Sequence, residues 1–546
     1  MTSRIRLNRA ARGEYRQLSG APDAPPATHR RGRVTRGIRV SAADGAALLT
    51  DHWRAEGAGG TTLLVRTPYG RANMEGVARF FAERGHHVVV QSCRGTFGSE
   101  GAFDPLHDEA SDGQATLAWL RAQPWATGPV LSWGGSYVGL TQWALCEGPL
   151  LPDAMGIAVS ARRFDEAILY RGGGFSMDTV LAWAVALDLQ ERTPLSRLWA
   201  MLRSPRRLRR ASFAVPPTDA PHTARAGSPR WVTDWIEHSD AGDPWWQPLH
   251  FADDPARIPP TVLMAGWQDF FLEGQLDDHR FLVDSGVPVR LVVGDWGHGG
   301  PDVLRRGAIE ALRGFDDPTA GPAVSVEVSG GAGWRELEAW PPPSAPQTWE
   351  ATAGGGLVER RDDASSTTAA AALTYRYDPA DPTPAAGGRS LNPFTAGRRD
   401  QRRRERRDDV LVFTGPRLDE DLLAMGTAEV ELTVSSSLPR ADVFVRLCEV
   451  DEKGASTGLT DGYLRLGPDT APDGTGRVRI SLAPLAHRFA AGHRLRLQVS
   501  SGAHPVQLRN PGTDDPVRDF RRLRASVQTV SLGGEAPLLL RLPVVD

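Results

Sequence analysis

The chain has 546 residues, a length that suits about three or four structural units. It carries 63 basic and 66 acidic residues, for a formal net charge of −3, and this balance excludes a general polyanion-binding protein. A hydrophobic content of 40% with 16 Trp excludes a fibrous or wholly disordered chain. Lys453 is the only lysine, so nearly every positive charge is an arginine.

The sequence predicts a cytoplasmic protein that does not enter a membrane. It has no apolar run of about 18 residues, the length that would cross a bilayer. Its first 30 residues are polar and rich in Arg, unlike a signal peptide. Its three cysteines, Cys93, Cys146 and Cys448, lie far apart in the sequence, which favours a reducing compartment.

In chain order, the first segment is residues 1–35, rich in Pro, Ala and Arg, which we expect to form a flexible N-terminal arm. Short apolar runs at 61–65, 88–90 and 130–133 then alternate with helical patterns, such as the one at 115–120. Apolar strands separated by helices predict a parallel sheet covered on both faces. The strand pattern returns at 261–264 and 289–293, so segments 36–150 and 256–314 are expected to form one α/β domain.

Two other regions interrupt or follow this α/β pattern. Residues 151–255 are helical in pattern and rich in Trp, which predicts an inserted helical cap. From 315 to 546 polar and apolar residues alternate, as at 429–434, 443–447 and 494–499, and this pattern is typical of half-buried antiparallel strands. We therefore predict a C-terminal β-sandwich, in which the Gly-, Ala- and Arg-rich stretch 353–408 is a loop.

A candidate nucleophile follows the strand at 130–133. Ser136 lies between Gly134 and Gly139, where the chain passes from a strand into a helical pattern. A serine nucleophile needs such a turn, because the turn exposes Oγ above the sheet. The second glycine comes three residues after the serine, not two as in the common motif. A glycine-rich loop with an ordinary serine is the alternative.

A general base and an orienting carboxylate are expected further along the chain. In α/β-hydrolases the acid and then the histidine follow the serine, each in a loop after a strand. Asp269 follows the strand at 261–264, and His298 follows the strand at 289–293 in a Gly-flanked loop. Asp295 is the alternative acid, although its place beside Trp296 favours a structural role.

The candidate site residues belong to a longer series of motifs. In chain order these are Arg66-Thr67-Pro68-Tyr69-Gly70-Arg71, Arg94-Gly95-Thr96-Phe97-Gly98-Ser99-Glu100-Gly101, Gln123-Pro124-Trp125, Gly134-Gly135-Ser136-Tyr137-Val138-Gly139, Gly266-Trp267-Gln268-Asp269, Trp296-Gly297-His298, Leu459-Thr460-Asp461-Gly462 and Ala491-Gly492-His493-Arg494-Leu495-Arg496-Leu497. These motifs, in this order, resemble the cocaine-esterase-type (CocE/NonD) acyl hydrolases, which belong to a superfamily with the X-prolyl dipeptidyl peptidases. The resemblance spans roughly residues 35–546 and implies an α/β-hydrolase fold with an inserted helical cap and a C-terminal jelly roll.

The resemblance also implies roles for individual residues. Ser136 would be the nucleophile, His298 the general base and Asp269 its orienting acid. The phenol of Tyr69 and the backbone N–H of Tyr137 would form the oxyanion hole. For Tyr69, ordinary packing beside its neighbouring proline is the alternative.

Two aromatic residues match positions that wall the acyl pocket in the family. Trp183 lies in the predicted cap, and Phe271 follows Asp269 by two residues. For both, plain core packing is the alternative, since a Trp in a helical stripe is usually buried.

We therefore expect a serine hydrolase that cleaves small-molecule carboxylic (acyl) esters, without a metal or nucleotide cofactor, because HExxH, P-loop and dinucleotide motifs are absent. An X-Pro dipeptidyl peptidase or amide hydrolase on the same residues is the alternative; Asp165 and Glu166 are candidates to bind its substrate's ammonium group. The non-enzymatic alternative is a binding protein with a carbohydrate-type sandwich, although no Trp follows Trp349. Self-association into a homo-oligomer is left open.

Two arginine clusters, at 206–210 and 402–407, are the remaining charged features. They lack interleaved aromatic residues, and the second also contains acidic residues. We interpret both as solvated surface, and predict no nucleic-acid partner.

Overall fold

The structure is a computed structural model, and it describes residues 2–4, 7–29, 32–57, 59–170, 172–224, 229–240, 242–316, 323–360, 368–393, 395–467 and 475–546. The chain divides into two compact units. Unit 1 consists of Met1–Phe164, Trp246–Gly266 and Gly274–Ser325, and unit 2 of Asp165–Trp245, Trp267–Glu273 and Val326–Asp546.

The strands, in chain order, are β1 (Thr2–Arg4), β2 (Gly32–Ser41), β3 (Ala47–Ala55), β4 (Thr62–Thr67), β5 (His87–Ser92), β6 (Val130–Gly135), β7 (Ala154–Ala158), β8 (Leu169–Tyr170), β9 (Gly174–Phe175), β10 (Thr261–Gln268), β11 (Val289–Gly297), β12 (Val324–Val328), β13 (Gly333–Leu337), β14 (Ala345–Ala351), β15 (Leu357–Arg360), β16 (Ala371–Tyr377), β17 (Leu411–Thr414), β18 (Leu422–Gly426), β19 (Glu429–Ser436), β20 (Ala441–Val450), β21 (Ser456–Leu466), β22 (Thr475–Ser481), β23 (Leu485–Phe489), β24 (Arg494–Ser500), β25 (Ser526–Leu532) and β26 (Leu539–Val544).

The α-helices are α1 (Arg9–Ser19), α2 (Glu75–Ala82), α3 (Glu109–Arg121), α4 (Tyr137–Trp143), α5 (Phe164–Ile168), α6 (Met177–Gln190), α7 (Pro194–Ser212), α8 (Ala220–Ala224), α9 (Arg230–Glu237), α10 (Leu272–Asp284) and α11 (Pro301–Asp316).

Unit 1 contains a mixed sheet with the strand order β1-β2-β3-β5-β4-β6-β7-β10-β11. The pairs β5–β4, β4–β6, β6–β7 and β7–β10 are parallel, whereas β1, β2 and β3 pair in antiparallel fashion. The strands predicted at 61–65, 88–90, 130–133, 261–264 and 289–293 are thereby confirmed. The predicted parallel sheet forms the centre of this unit.

Both faces of this sheet are covered, as its continuous apolar strands predict. Leu63 points toward a cluster that contains Phe80 of α2, whereas its neighbour Leu64 belongs to a second cluster with Leu117 of α3. Successive strand residues alternate between opposite faces, so each strand needs apolar residues throughout. All six residues of β4 and of β5 are buried.

The first 35 residues differ from the predicted flexible arm. They include β1 and α1, and α1 is an amphipathic helix capped by the side chain of Asn8, which accepts the N–H of Ala11. Leu7, Ala11 and Leu18 are buried in the same cluster as α2. The helix was not predicted because only a narrow stripe of apolar residues packs on the core, and the rest of the segment is polar and rich in Arg.

Unit 2 contains helices α5 to α9 and the C-terminal strands. Among its described strands, β17-β24-β20-β21 form one antiparallel sheet, and β15-β14-β26-β19-β25-β16 form the main path of another. Side chains of both sheets, such as Leu432 and Leu447, share one apolar cluster. The antiparallel β-rich C-terminal region is confirmed, and the jelly-roll topology stays a prediction.

Three details of the chain's organisation differ from expectation. β7 (Ala154–Ala158), which lies within the predicted cap, pairs with β6 in the central sheet. The stretch 353–408 was expected to be a loop, but it contains β15 and β16. In the second arginine cluster Arg404 is buried and donates to Gln498 and Ser500, so this part of the cluster is not solvated.

No helix within the described ranges is long and apolar enough to span a membrane. Cys93, Cys146 and Cys448 are all buried and free of disulfides.

Candidate active site

Ser136 lies in the turn between β6 and α4, with strained backbone geometry. Its φ is 58° and its ψ is −131°, a region that non-glycine residues rarely adopt. Its N–H donates to the carbonyl of Ala158 on β7, at 2.9 Å. The sheet therefore holds the turn in place, and α4 begins at the next residue with its N-terminus at the turn, an arrangement that favours negative charge.

The two glycines of the motif allow the close approach of neighbouring atoms. A Cβ on Gly134 would lie 2.3 Å from Cγ1 of Val138, and a Cβ on Gly139 would lie 2.6 Å from Cβ of Ser160. Both distances are shorter than packed carbon atoms tolerate. The glycine three residues after the serine is thus required by the packing of α4 on residues beside β7.

His298 directly follows β11, and its Nε2 lies 2.8 Å from Oγ of Ser136. This is a hydrogen-bond distance between a hydroxyl and an imidazole nitrogen. Both side chains are half-buried. Of the residues predicted from sequence, these two are brought together directly, although 162 positions separate them in the chain.

Asp269 directly follows β10, and it lies in residues 267–273, which we call the acid loop. The side chain is completely buried, and one carboxylate oxygen accepts the backbone N–H of Phe271 at 2.7 Å. A short loop bond of this kind fixes the carboxylate relative to its own backbone. The acid loop belongs to unit 2.

The two residues expected to form the oxyanion hole both lie at turns of unit 1. Tyr69 follows β4, is half-buried, and donates its N–H to Oγ1 of Thr67 at 3.0 Å. Its carbonyl accepts a bond from Asn73 at 2.6 Å. Tyr137 is the first residue of α4, so its backbone N–H lies in the first turn of the helix, next to Ser136.

A buried ion pair anchors the side chain of Tyr137, and sequence reasoning missed it. The phenol donates to Glu109 Oε1 at 3.0 Å and accepts the N–H of Leu106 at 2.9 Å. Arg66 Nη2 lies 3.0 Å from the other oxygen of Glu109. Two sequence features could have indicated this ion pair: a glutamate in the first turn of α3, and an arginine inside an apolar strand. An unpaired charge is rarely tolerated in such a strand.

Burial dominates the electrostatics of this cluster. It raises the pKa of the Tyr137 phenol well above its usual value, and the charge of Glu109 adds to the effect. Burial and Glu109 likewise raise the pKa of the nearby Cys93 thiol. Both groups are therefore neutral at physiological pH, and Tyr137 serves as a fixed hydrogen-bond donor to Glu109.

The two predicted pocket residues lie within aromatic clusters. The ring of Trp183 in α6 stacks on Trp235 at 5.7 Å and lies 4.9 Å from Trp231. Phe271 is completely buried, with its ring 4.5 Å from that of Phe270. Each ring contributes to packing, and the pocket role stays a prediction.

The other candidate residues are described more briefly. Asp295 is half-buried within β11, Asp165 is buried, and Glu166 is exposed. Within the described part of the chain, no group of three or more His, Cys, Asp or Glu side chains is arranged to hold a metal ion.

The strained serine at a strand-to-helix turn, its bond to a histidine after a late strand, and the sheet beneath them define a serine hydrolase of the α/β-hydrolase class. Residues 44–300 match the X-Pro dipeptidyl-peptidase (S15 family) domain, and residues 317–540 match the C-terminal non-catalytic domain of the same peptidases. These two matches confirm the resemblance found in the sequence to the superfamily that includes the X-prolyl dipeptidyl peptidases.

Individual relatives agree with this assignment. The chain is 29% identical to the cocaine esterase of Rhodococcus sp. (strain MB1 Bresler), over 94% of this chain and 98% of that protein. An α-amino acid ester hydrolase structure has a TM-score of 0.75 at 21% identity and covers 97% of this chain and 99% of its own. An aminopeptidase from a Thaumarchaeota archaeon has a TM-score of 0.75 at 22% identity, covering 94% and 97%. The two structures show the shared fold.

Proposed function

We propose that the protein hydrolyses small-molecule carboxylic esters through an acyl-enzyme on Ser136. The observation that carries this proposal is the 2.8 Å bond between Oγ of Ser136 and Nε2 of His298, made at a serine with a positive φ. A non-glycine residue keeps such strain when the surrounding structure holds it and function needs it. The esterase names of the relatives support the same reaction type.

In the proposed mechanism, Oγ of Ser136 attacks the ester carbonyl carbon while its proton passes to Nε2 of His298. The carbonyl oxygen becomes an oxyanion, which accepts bonds from the Tyr69 phenol and the Tyr137 N–H. Each such donor contributes about 3–4 kcal/mol to lowering the barrier. His298 then gives its proton to the departing alkoxide, and the acyl group remains on Ser136.

Deacylation repeats these steps with water as the nucleophile. His298 removes a proton from the water, the hydroxide attacks the acyl carbon, and Ser136 leaves with the proton returned by His298. Asp269 is proposed to orient the imidazole and to stabilise its charged form. Its place after β10 in the chain order, and its complete burial, support this role.

The second candidate function is release of an amino acid or X-Pro dipeptide from a peptide's N-terminus. The match to the S15 peptidase domain and the aminopeptidase with the same fold favour it. Such a reaction needs an anionic partner for the substrate's ammonium group. Asp165 and Glu166 are the candidates, and only Asp165 is buried.

The first experiment is intact-mass analysis after treatment with a fluorophosphonate, which reacts with activated serines without any choice of substrate. We expect one adduct on the wild-type protein and none on Ser136→Ala. The same substitution should lower ester turnover by at least about 10⁴-fold, because the covalent intermediate is lost. An adduct that persists on folded Ser136→Ala would contradict the proposed nucleophile.

A substrate pair then separates the two candidate functions. A p-nitrophenyl ester tests the first reaction, and Ala-Pro-p-nitroanilide tests the second. Turnover of the ester alone supports the esterase, and turnover of the anilide supports the peptidase. If folded protein turns over neither, the ligand-binding protein with a carbohydrate-type sandwich becomes the better explanation.

The remaining features belong to the proposal on sequence grounds. They are the cytoplasmic location, which three free and buried cysteines favour, the pocket roles of Trp183 and Phe271, and the absence of nucleic-acid and membrane partners. The domain division into 36–150 with 256–314, 151–255 and a jelly roll over 315–546 also stays a prediction, except that residues 1–35 contain β1 and α1 and that β7 belongs to the central sheet.

A further inference from the structure

We propose that the C-terminal β-rich region positions the acid loop through a chain of buried ion pairs that runs from Glu273 to Arg389, Asp461 and Arg446. This inference rests on the proposed function, in which Asp269 of that loop orients the catalytic histidine. It gives a part in the reaction to a region whose matching domain is described as non-catalytic.

The acid loop is fixed at both of its ends by residues of the C-terminal region. At its start, Nε1 of Trp267 donates to the carbonyl of Glu327 at 2.7 Å, and its ring lies 5.2 Å from that of Trp340. At its end, Oε2 of Glu273 lies 3.2 Å from Nη2 of Arg389. Asp269 lies between these two anchors, so its backbone has little freedom.

Arg389 is one link in a longer chain of charges. Its Nη2 also lies 3.4 Å from Asp461 Oδ1, and Oδ2 of Asp461 lies 3.0 Å from Nη2 of Arg446. Except for Glu273, which is 18% exposed, these side chains are less than 10% exposed. Burial tends to raise the pKa of Asp461, but Arg389 and Arg446 together hold it below its usual value.

Arg446 is itself held by the surrounding strands and loops. Its Nη1 donates to the carbonyl of Ala386 at 2.6 Å and to Gln401 at 2.9 Å. The backbone at Gly388 has a φ of +117° and lies close to the guanidinium of Arg446. A Cβ at this position would be 3.3 Å from Nη2 of Arg446. The chain of charges therefore ends in a fixed part of the β-rich region.

The segment that carries Arg389 is also fixed from a second direction. The carboxylate of Asp178, on α6, accepts bonds from Ser390 at 2.9 Å and from Asn392 at 2.7 Å, and a further bond from Thr395. Asp178 is only 3% exposed. The guanidinium of Arg389 consequently starts from a constrained backbone and reaches Glu273 in a defined direction.

The chain of ion pairs is better suited to fixing the position of the acid loop than to raising the stability of the fold. A buried ion pair contributes little net stability, because desolvation of its charges offsets their attraction. It does restrict geometry, since the partners must stay in contact to avoid an unpaired buried charge. A catalytic group displaced by about 1 Å can cost as much as about 10²-fold in rate. Glu273 and Arg389 are thus positioning residues for Asp269.

The test is a double-mutant cycle between Glu273→Gln and Asp269→Asn, with ester turnover as the readout. Glu273→Gln removes the charge at the end of the loop and leaves Arg389 paired with Asp461. We expect kcat to fall about tenfold, with KM within about twofold of the wild-type value, because binding is not the step affected. In the Asp269→Asn background the same substitution should have almost no further effect on kcat.

The matched control is Asp277→Asn, which removes an exposed ion pair with Arg280 on α10, the helix that also contains Glu273. This control should leave kcat unchanged. Arg389→Lys is the second variant: it keeps a positive charge beside Glu273 but loses the guanidinium geometry, and should lose less activity than Arg389→Met. Circular dichroism and thermal melts establish that each variant is folded.

Two results would overturn the inference. The first is a folded Glu273→Gln variant whose kcat equals that of the wild type. The second is a Glu273→Gln substitution that lowers kcat by the same factor in the wild-type and the Asp269→Asn backgrounds, which is what general destabilisation produces. Failure of the proposed function gives a different result, because full ester turnover in Ser136→Ala or Asp269→Asn would show that these residues do not form the catalytic site.

Discussion

At the scale of single residues, the motif around Ser136 is explained by three separate physical demands. Ser136 accepts a strained φ, which places its hydroxyl against His298. Gly134 and Gly139 make room for Val138 and for Ser160. The departure of this motif from the common spacing therefore reflects how α4 packs on the sheet, and it does not weaken the assignment of the nucleophile.

This explanation predicts that Gly139→Ala destabilises the protein. The added Cβ would meet that of Ser160 at 2.6 Å, so the helix or the strand end must shift. We expect a loss of about 1–3 kcal/mol in the free energy of unfolding, measured by urea denaturation. Ester turnover should fall as well, because α4 carries the turn.

The matched control is Gly13→Ala, in the middle of α1, where a Cβ would meet no atom within 4 Å. It should stabilise the protein by about 0.5–1 kcal/mol, since alanine is the better helix former. A Gly139→Ala variant as stable as the wild type would contradict this prediction, because it would show that Ser160 can move away from the added Cβ with no loss in the free energy of unfolding.

At the scale of elements, the sequence was most informative where local pattern and burial agree. β5 is predicted from three consecutive valines, and Asp269 and His298 are predicted from the strands before them. β7 was missed because its five residues include Gly156 and are too few for a clear pattern. The chain of ion pairs around Arg389 could not be foreseen, since its members are separated by up to 188 positions in the sequence and are brought together only by the fold.

α1 was also missed, and it leads to a test of pH dependence. Glu14, on its inner side, is half-buried, and burial raises its pKa from 4.5 to about 7, although the N–H of Gly76 lowers it in part. Because the folded state holds this proton more tightly than the unfolded state, stability falls as pH rises from about 4.5 to about 7.

Glu14→Gln removes this titration and keeps an oxygen for Gly76. The variant and the wild type should have similar unfolding free energies at pH 4. At pH 8 the variant should be more stable by on the order of 1–2 kcal/mol, measured from urea midpoints. An equal difference at both pH values would contradict the assignment of the effect to the Glu14 proton.

At the scale of the whole molecule, the nearly exclusive use of arginine determines how charge pairs respond to pH. Arginine keeps its charge at all pH values at which the protein folds, so ion pairs are lost chiefly by protonation of their carboxylates. The chain of pairs around Arg389 follows this rule. The cluster of Glu449 with His487 and His493 is one exception, because the partners of its carboxylate are histidines and not arginines.

Glu449 therefore provides a test of acid stability. Burial tends to raise its pKa, but His487 at 3.2 Å, His493 at 2.9 Å and the N–H of Ala490 bring it down from 4.5 to about 2. A carboxylate with a lowered folded-state pKa stabilises the protein fully above its unfolded pKa, here 4.5. That contribution is lost as pH falls toward about 2.

Glu449→Gln should therefore be less stable than the wild type at pH 5, and the difference should shrink steadily between pH 4.5 and pH 2 as the wild-type carboxylate takes up its proton. Urea midpoints at four pH values in this interval measure the trend. Glu452→Gln, an exposed carboxylate in the following turn, is the control and should parallel the wild type. A gap between Glu449→Gln and the wild type that stays constant down to pH 2 would mean that the two histidines do not hold this carboxylate in its charged form.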